Sequence, residues 1–124
     1  MTTSITPLET ALASLLDALS PPPRNDRERD GAIQRFEYTF ELTWKVGKRK
    51  LEETGIISTS PRSVIRDMAQ QGWIMDAELW LGFLRARNYT SHIYSAKLAE
   101  LVFSHAQAFA AECSSLCQTM KKLV

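Results

Sequence analysis

Long hydrophobic runs and an unbalanced charge are both lacking in this sequence. No apolar stretch approaches the roughly 18 to 20 residues that a membrane-spanning helix needs. Residues 1–7 have neither the basic nor the apolar region of a signal peptide. We therefore expect a cytoplasmic protein with no membrane association. The formal net charge of +1 is too small for extended, non-specific binding to duplex nucleic acid.

Cysteine is also scarce, with only Cys113 and Cys117 present. A spacing of four residues puts both on one face of a helix, but it holds their backbones too far apart for an easy disulfide. A metal site would need further ligands at the usual spacings, and the neighbouring sequence offers none. We therefore predict reduced thiols and a protein without a metal or another cofactor.

The rest of the composition is that of an ordinary globular protein. Hydrophobic residues make up 44% of the 124 residues and charged residues 23%. This length predicts a single domain, residues 1–124. Every strong periodic pattern is helical, with apolar side chains recurring at intervals of three and four residues. The sequence therefore predicts an all-α fold, an antiparallel up-and-down bundle of four to five helices.

Residues typical of helix ends divide the chain into five helices. Thr6 and Glu9 match a capping box at the start of the first helix. The second helix is predicted to begin near Asp26 and to end before Gly55. Gly47 lies on its apolar stripe and is expected to allow close helix packing. N-cap residues are predicted for the remaining three helices, at Ser60, Asp76 and Ser95. The inward face of the fifth helix is predicted to carry Leu98, Leu101, Val102, Phe109, Cys113, Leu116 and Met120.

A polar segment, residues 87–94, interrupts the pattern between the fourth and fifth helices. If the fourth helix continues through it, Arg87, Ser91 and Tyr94 share one face. Asn88 and His92 then share a neighbouring face, and together the two faces form a polar wall for one phosphate-sized group. If the helix breaks instead, the same side chains line a loop between two rigid helices, which is a common place for a functional site.

Two interpretations of this segment fit the spacing equally well. A guanidinium binds phosphate bidentately, and an imidazole transfers protons near neutral pH. Arg87 and His92 together therefore suit cleavage of RNA through its 2′-hydroxyl, which needs a base and charge stabilisation but no metal. In the structural alternative, Arg87 forms a surface ion pair, His92 is a hydrogen-bonded core histidine and Tyr94 is a packing residue.

The run at residues 30–45, DGAIQRFEYTFELTWK, resembles a family signature. The signature is D-G-x-I-Q-R-F-E-F-T-x-E-L-x-W-K, and its family is the nucleotidyltransferase substrate-binding proteins. These are relatives of the HepT toxins in the HEPN superfamily. Residues 60–66 and 87–94 also agree with the family, and the resemblance covers about residues 8–120.

The resemblance implies a homodimer and a cognate small nucleotidyltransferase as partner. In the HepT branch, the R-x4-H-x-Y motif is a metal-independent ribonuclease site formed by two chains, and here it maps onto Arg87, His92 and Tyr94. The nucleotidyltransferase acts as the antitoxin, and the tyrosine of the motif is the residue that it can modify with AMP. The resemblance therefore implies a toxin with Arg87 and His92 as catalytic residues and Tyr94 as the AMP acceptor.

The other branch of the family implies a non-catalytic subunit that binds a nucleotide or another substrate for the nucleotidyltransferase. A purely structural dimeric subunit is a third possibility. Asn88, Ser91 and Arg85 are the further substrate- or phosphate-binding candidates. Arg85 can join a basic cluster with Arg62, Arg66 and Arg87 if the third and fourth helices pack together. Four charged residues of the signature are expected to form a polar network that supports the site: Asp30, Arg35, Glu37 and Glu41.

Overall fold

The computed structural model describes residues 3–123, which form five α-helices. No strand occurs in this part of the chain, so the predicted all-α class is confirmed. No helix within it is long and apolar enough to cross a membrane. The helices are α1 (Thr6–Leu19), α2 (Asp26–Glu53), α3 (Pro61–Gln70), α4 (Ala77–Tyr89) and α5 (Ala96–Lys121), with a 3-10 turn at Thr90–His92.

The capping box predicted at Thr6 and Glu9, at the start of α1, is wrong. The helix begins at Thr6, so the N-cap residue is Ile5, which makes no side-chain capping hydrogen bond. The Ser4 hydroxyl accepts a hydrogen bond from the Thr6 N–H at 3.2 Å. Glu9 does not reach back to the helix end, because its carboxylate pairs with Lys121 of α5 at 2.6 Å. A contact between helices therefore replaces the local one.

The other helices begin at capping side chains, as the sequence predicts. The N-cap residues Ser60, Asp76 and Ser95 each accept a hydrogen bond from a backbone N–H in the first turn, at 3.0 to 3.1 Å. Asn25 does the same for α2 at 2.9 Å. Gly55 follows the end of α2 with a φ of +90°, a conformation in which a side chain is strained. These local contacts explain why the helix boundaries could be predicted closely.

Phe109 of α5 is the centre of an aromatic cluster in the core. Its ring lies 5.3 Å from that of Phe36 and 5.7 Å from that of Phe40, both on α2. On α4, Phe83 and Trp80 lie 5.5 and 5.7 Å away. All five side chains are almost fully buried. The cluster therefore packs α2, α4 and α5 together, and it determines how α4 lies against α2.

Leu101 is an exception to the predicted inner face of α5, since 49% of its surface is exposed. Val102, the next residue of the predicted face, is fully buried as predicted. Because successive helical residues are rotated by about 100°, Leu101 lies on the outer side of the buried stripe. Cys113 and Cys117 are free and buried. Their mutual hydrogen bond, together with burial, raises the pKa of the Cys113 thiol, which therefore stays protonated.

Gly47 allows α2 to approach α3 closely, as predicted. A Cβ atom at this position would lie 2.7 Å from Met68 Sδ and 3.3 Å from Val64 Cγ1. Both neighbours are fully buried, so neither has free space into which it can move. The glycine is therefore a packing requirement, although glycine within a helix costs about 1 kcal/mol relative to alanine.

We expect Gly47→Val to lower the free energy of unfolding by about 2 to 4 kcal/mol, because three additional carbon atoms would overpack the contact between α2 and α3. Urea unfolding followed by circular dichroism measures this change. The matched control is Arg49→Val on the exposed side of the same helix, which should cost less than about 1 kcal/mol. Equal losses in the two variants would contradict the packing role of Gly47.

Candidate functional site

The polar segment is helical for part of its length. α4 continues through Arg87 to Tyr89 and then tightens into the 3-10 turn at Thr90–His92. The Thr90 hydroxyl lies 2.7 Å from the Arg87 carbonyl oxygen and also within hydrogen-bond distance of the Glu37 carboxylate. The structure therefore combines the two predicted cases, because the fourth helix extends into the segment and ends before Tyr94.

An open cleft of about 530 Å³ lies between this segment and α2. Its volume is within the usual range for small-ligand sites. One wall comes from α2 and the other from the end of α4 and the turn that follows. The lining residues are Glu37, Tyr38 and Glu41 on α2, and Arg87, Asn88, Thr90, Ser91 and His92 opposite. Four of the residues predicted from the polar segment therefore lie together, with two carboxylates of the signature run.

Arg87 forms an ion pair with Glu41 across the cleft. Both side chains are mostly buried, with exposed fractions of 31% and 28%. A second guanidinium nitrogen of Arg87 donates to Asn88 Oδ1 at 3.3 Å, and Lys45 Nζ lies 3.6 Å from the other Glu41 oxygen. Because a guanidinium has five N–H donors, this arrangement orients Arg87 and leaves donors for a ligand.

His92 and Tyr94 are both exposed, so the structural alternative is wrong for these two residues. His92 is not a core histidine, and Tyr94 has 86% of its surface exposed. Their contact is with each other, since His92 Nδ1 lies 3.3 Å from the Tyr94 hydroxyl oxygen. The imidazole is therefore free to meet a ligand or a second chain at the mouth of the cleft.

The four charged residues of the signature do not form one network. Glu37 and Glu41 line the cleft, but Arg35 faces α1 and donates to the Ser14 hydroxyl at 3.1 Å. Asp30 pairs with Arg29 at 3.3 Å. It also lines a smaller adjoining cleft of about 310 Å³, which shares Glu37 and Thr90 with the first. The predicted network is therefore divided between the site and the packing of α1 on α2.

Arg85 does not line the cleft. A Cβ atom at Gly82 would lie 3.7 Å both from Arg85 Nη2 and from His105 Nε2, so Arg85 lies on the α5 side of α4. Arg62 and Arg66 are exposed on α3 and do not line the cleft either. Of the expected basic cluster, Arg87 is therefore the one member that lines this cleft.

Tyr38 and Thr90 are lining residues that were not predicted from the sequence. Tyr38 precedes Glu41 by three residues, so helical geometry puts the two on the same side of α2. That spacing was a usable signal once Glu41 was assigned to the site. Thr90 gave no such signal, because its role depends on where α4 ends. Among residues 3–123, no group of three or more His, Cys, Asp or Glu side chains is arranged to hold a metal ion.

Comparison with known proteins identifies the family. Residues 3–122 match the family model described as nucleotidyltransferase substrate binding protein like. The chain belongs to this family. A probable ribonuclease HepT from Haemophilus influenzae is 31% identical over 97 residues, an alignment that covers 74% of this chain and 66% of that protein. The chain thus spans slightly less than two thirds of this relative's length.

Two solved structures share the fold. A crystal structure of a protein from Thermus thermophilus has a TM-score of 0.86 at 37% identity, and the match covers 93% of this chain and 99% of that one. A Haemophilus influenzae structure, described as the fold of a substrate binding domain of a nucleotidyltransferase, has a TM-score of 0.84 at 27% identity. That match covers 96% of this chain and 100% of the other. The family resemblance found in the sequence is confirmed.

The Glu41–Arg87 ion pair should stabilise the packing of α4 on α2 by about 1 kcal/mol, near the upper limit for pairs that keep some contact with water. A double-mutant cycle with Glu41→Gln and Arg87→Gln, measured by urea unfolding, gives this coupling energy. The more exposed Lys48–Glu52 pair on α2 is the control, and its coupling should be about 0.3 to 0.5 kcal/mol. A smaller coupling for Glu41 and Arg87 than for the control would contradict the ion pair in solution.

Proposed function

We propose that this chain is the helical subunit of a two-component nucleotidyltransferase system and acts as a HepT-like toxin with a metal-independent ribonuclease site. The observation that carries this proposal is the presence of Arg87 and His92 in one cleft. The 31% identity to a protein named probable ribonuclease HepT supports it. The cognate nucleotidyltransferase is the proposed partner and antitoxin, and the proposed location is the cytoplasm.

The proposed reaction needs two proton transfers. His92 accepts the proton of an RNA 2′-hydroxyl, whose oxygen then attacks the adjacent phosphorus. The bond to the 5′-oxygen breaks, which leaves a 2′,3′-cyclic phosphate, and the leaving oxygen takes a proton from a general acid. Arg87 stabilises the negative charge that develops on the phosphate oxygens. Asn88 and Ser91 are neutral groups in the same cleft that can bind the phosphate or the ribose.

A second chain can supply the general acid. The cleft contains a single imidazole, and His92 lies exposed at its mouth. In a two-fold symmetric homodimer with the clefts face to face, one His92 acts as the base and the other as the acid. This is the reason that we propose a homodimer with a shared site rather than two independent sites.

Tyr94 is the proposed acceptor for AMP. Its hydroxyl oxygen would attack the α-phosphorus of ATP on the nucleotidyltransferase, and pyrophosphate would leave. An exposure of 86% makes this oxygen accessible. The added phosphodiester would carry a negative charge next to His92, whose Nδ1 is 3.3 Å from the acceptor oxygen. The modification would therefore block RNA and switch off the proposed toxin.

A second candidate is a non-catalytic subunit that binds a nucleotide or another substrate for the nucleotidyltransferase. The description of the Haemophilus influenzae structure as a substrate binding domain is consistent with it. The Arg87–Glu41 ion pair is also consistent with it, because a pre-oriented guanidinium serves phosphate binding whether or not cleavage follows. In this case Arg87→Ala weakens nucleotide binding and no RNA turnover is seen.

We expect the purified protein to cleave RNA in the presence of a chelator. His92→Ala should lower the cleavage rate by at least about 10²- to 10⁴-fold, the usual contribution of one general acid or base, because the variant removes both groups from the proposed dimer. Gel analysis of a labelled RNA pool measures this rate. His105→Ala removes the other histidine, which lies on α5 outside the cleft, and should retain activity. Absence of cleavage in any RNA pool would exclude the ribonuclease.

Coexpression with the cognate nucleotidyltransferase should raise the mass of this chain by one or several AMP groups. Intact-protein and peptide mass spectrometry would locate the addition on Tyr94. Tyr94→Phe should remain unmodified because it lacks the acceptor oxygen. Tyr89→Phe is the matched control, since Tyr89 is also exposed and should not affect the modification. AMP on a different residue, or none at all, would count against the proposed regulation.

A further inference from the structure

The charges of the cleft lining cannot by themselves provide strong binding of a phosphate. Two carboxylates, Glu37 and Glu41, line it together with the single guanidinium of Arg87. Arg87 is already paired with Glu41. The net charge of the whole chain is only +1, so long-range attraction adds little. If Arg87 binds the phosphate of a nucleotide, as the proposed function requires, much of the affinity must come from an uncharged contact.

Tyr38 provides a suitable surface for such a contact. It is the aromatic residue of the cleft lining other than His92, and 40% of its surface is exposed. Its hydroxyl donates a hydrogen bond to Ser14 Oγ at 2.9 Å, and the same oxygen accepts from Arg35 Nε at 3.1 Å. The polar atom of Tyr38 is therefore engaged with α1, which restrains the side chain where the residue lines the cleft.

The spacing of Tyr38 and Glu41 on α2 suits a nucleotide. Residues 38 and 41 are three apart on one helix, so their Cβ atoms lie about 5 to 6 Å apart. Glu41 in turn contacts the Arg87 guanidinium. Tyr38 and Glu41, the residue paired with Arg87, thus lie about one helical turn apart on the α2 wall, close enough for one nucleotide to reach both.

We propose that Tyr38 is a nucleobase-stacking residue, and that the base of the nucleotide whose phosphate binds Arg87 stacks on its ring. Stacking on an aromatic side chain tolerates any base, because every base has a π face. The ligand is then a nucleotide with an unpaired base, either free or within a single strand. Ser14 and Arg35 act as positioning residues that hold the ring. This inference rests on the phosphate-binding role of Arg87 in the proposed function, but it does not depend on cleavage.

The test compares binding of AMP, ribose 5-phosphate and inorganic phosphate to the full chain by NMR titration. AMP should bind roughly 5- to 150-fold more tightly than ribose 5-phosphate, the range that corresponds to stacking of one base. The affinity of Tyr38→Phe for AMP should stay within about twofold of that of the unmodified protein, because this variant keeps the ring. Tyr38→Ala should reduce AMP binding to the level of ribose 5-phosphate, and Tyr89→Ala, outside the cleft, should have no effect.

A short single-stranded RNA and a duplex of the same sequence separate the two sources of the ligand. Binding that depends on Tyr38 for the single strand as well as for AMP supports the stacking residue in an RNA site. If only the binding of AMP depends on Tyr38, the result supports Tyr38 as a stacking residue in a site for free nucleotides. The duplex should not show this dependence, because its bases are stacked on one another. If Tyr38→Ala does not fold, Tyr38→Leu keeps the apolar volume without the aromatic face and provides the same comparison.

Equal affinity for AMP and ribose 5-phosphate, no detectable binding of any of these ligands, or unchanged AMP binding by Tyr38→Ala would overturn the inference. Its failure can be separated from that of the proposed ribonuclease. RNA cleavage that depends on His92 but is unaffected by Tyr38→Ala would leave the ribonuclease standing and remove the stacking role. Tighter binding of AMP than of ribose 5-phosphate, without RNA cleavage, would support the stacking role and exclude the ribonuclease.

Discussion

The packing of α2, α4 and α5 around Phe109 is the interaction on which the candidate site depends. Phe36 and Phe40 of α2 and Trp80 and Phe83 of α4 all contact the Phe109 ring. Pairs of this kind contribute about 0.5 to 1.5 kcal/mol each beyond the burial of their surface. Since the cluster lies behind the cleft walls, it holds α4 against α2, although it leaves the buried Trp80 Nε1 without a hydrogen-bond partner.

The cleft walls are joined by polar contacts of a different kind. Arg87 pairs with Glu41, and Thr90 contacts Glu37, so each carboxylate of α2 faces a partner at the end of α4. The carboxylates of Glu37 and Glu41 outnumber the single guanidinium of Arg87, so the site has no positive excess. The ion pair orients the guanidinium of Arg87, but the site attracts anions only weakly. Uncharged contacts, such as one with the Tyr38 ring, are therefore important for ligand binding. His92 and Tyr94, on the outer side, remain available to a partner chain.

Much of the fold could be predicted because helix boundaries depend on local contacts. The N-caps Ser60, Asp76 and Ser95 and the terminal glycine Gly55 act within one turn of their helices. The capping box at Thr6 was wrong for the opposite reason. Glu9 had a stronger partner in Lys121, more than one hundred residues away in the chain, and no local pattern contains that information.

The candidate site could be predicted in part. Its polar segment stood out because residues 87–94 break a helical pattern, and the family resemblance assigned roles to Arg87, His92 and Tyr94. The position of Arg85 could not be predicted, because residues two apart on a helix point in different directions and the packing of α5 decided which of them met the cleft. Tyr38 and Thr90 were missed, since both belong to the site only through contacts between helices.

The sequence by itself determined the helices, most of their ends and the family, because periodicity, capping and the signature run are properties of neighbouring residues. Only the tertiary structure decided which polar groups share a cleft. It turned Arg35 towards α1, placed Asp30 in the adjoining cleft, paired Arg87 with a carboxylate and left His92 exposed. The physical reason is that charge pairing and exposure depend on which helix faces meet, and those faces are selected by the burial of the apolar core around Phe109.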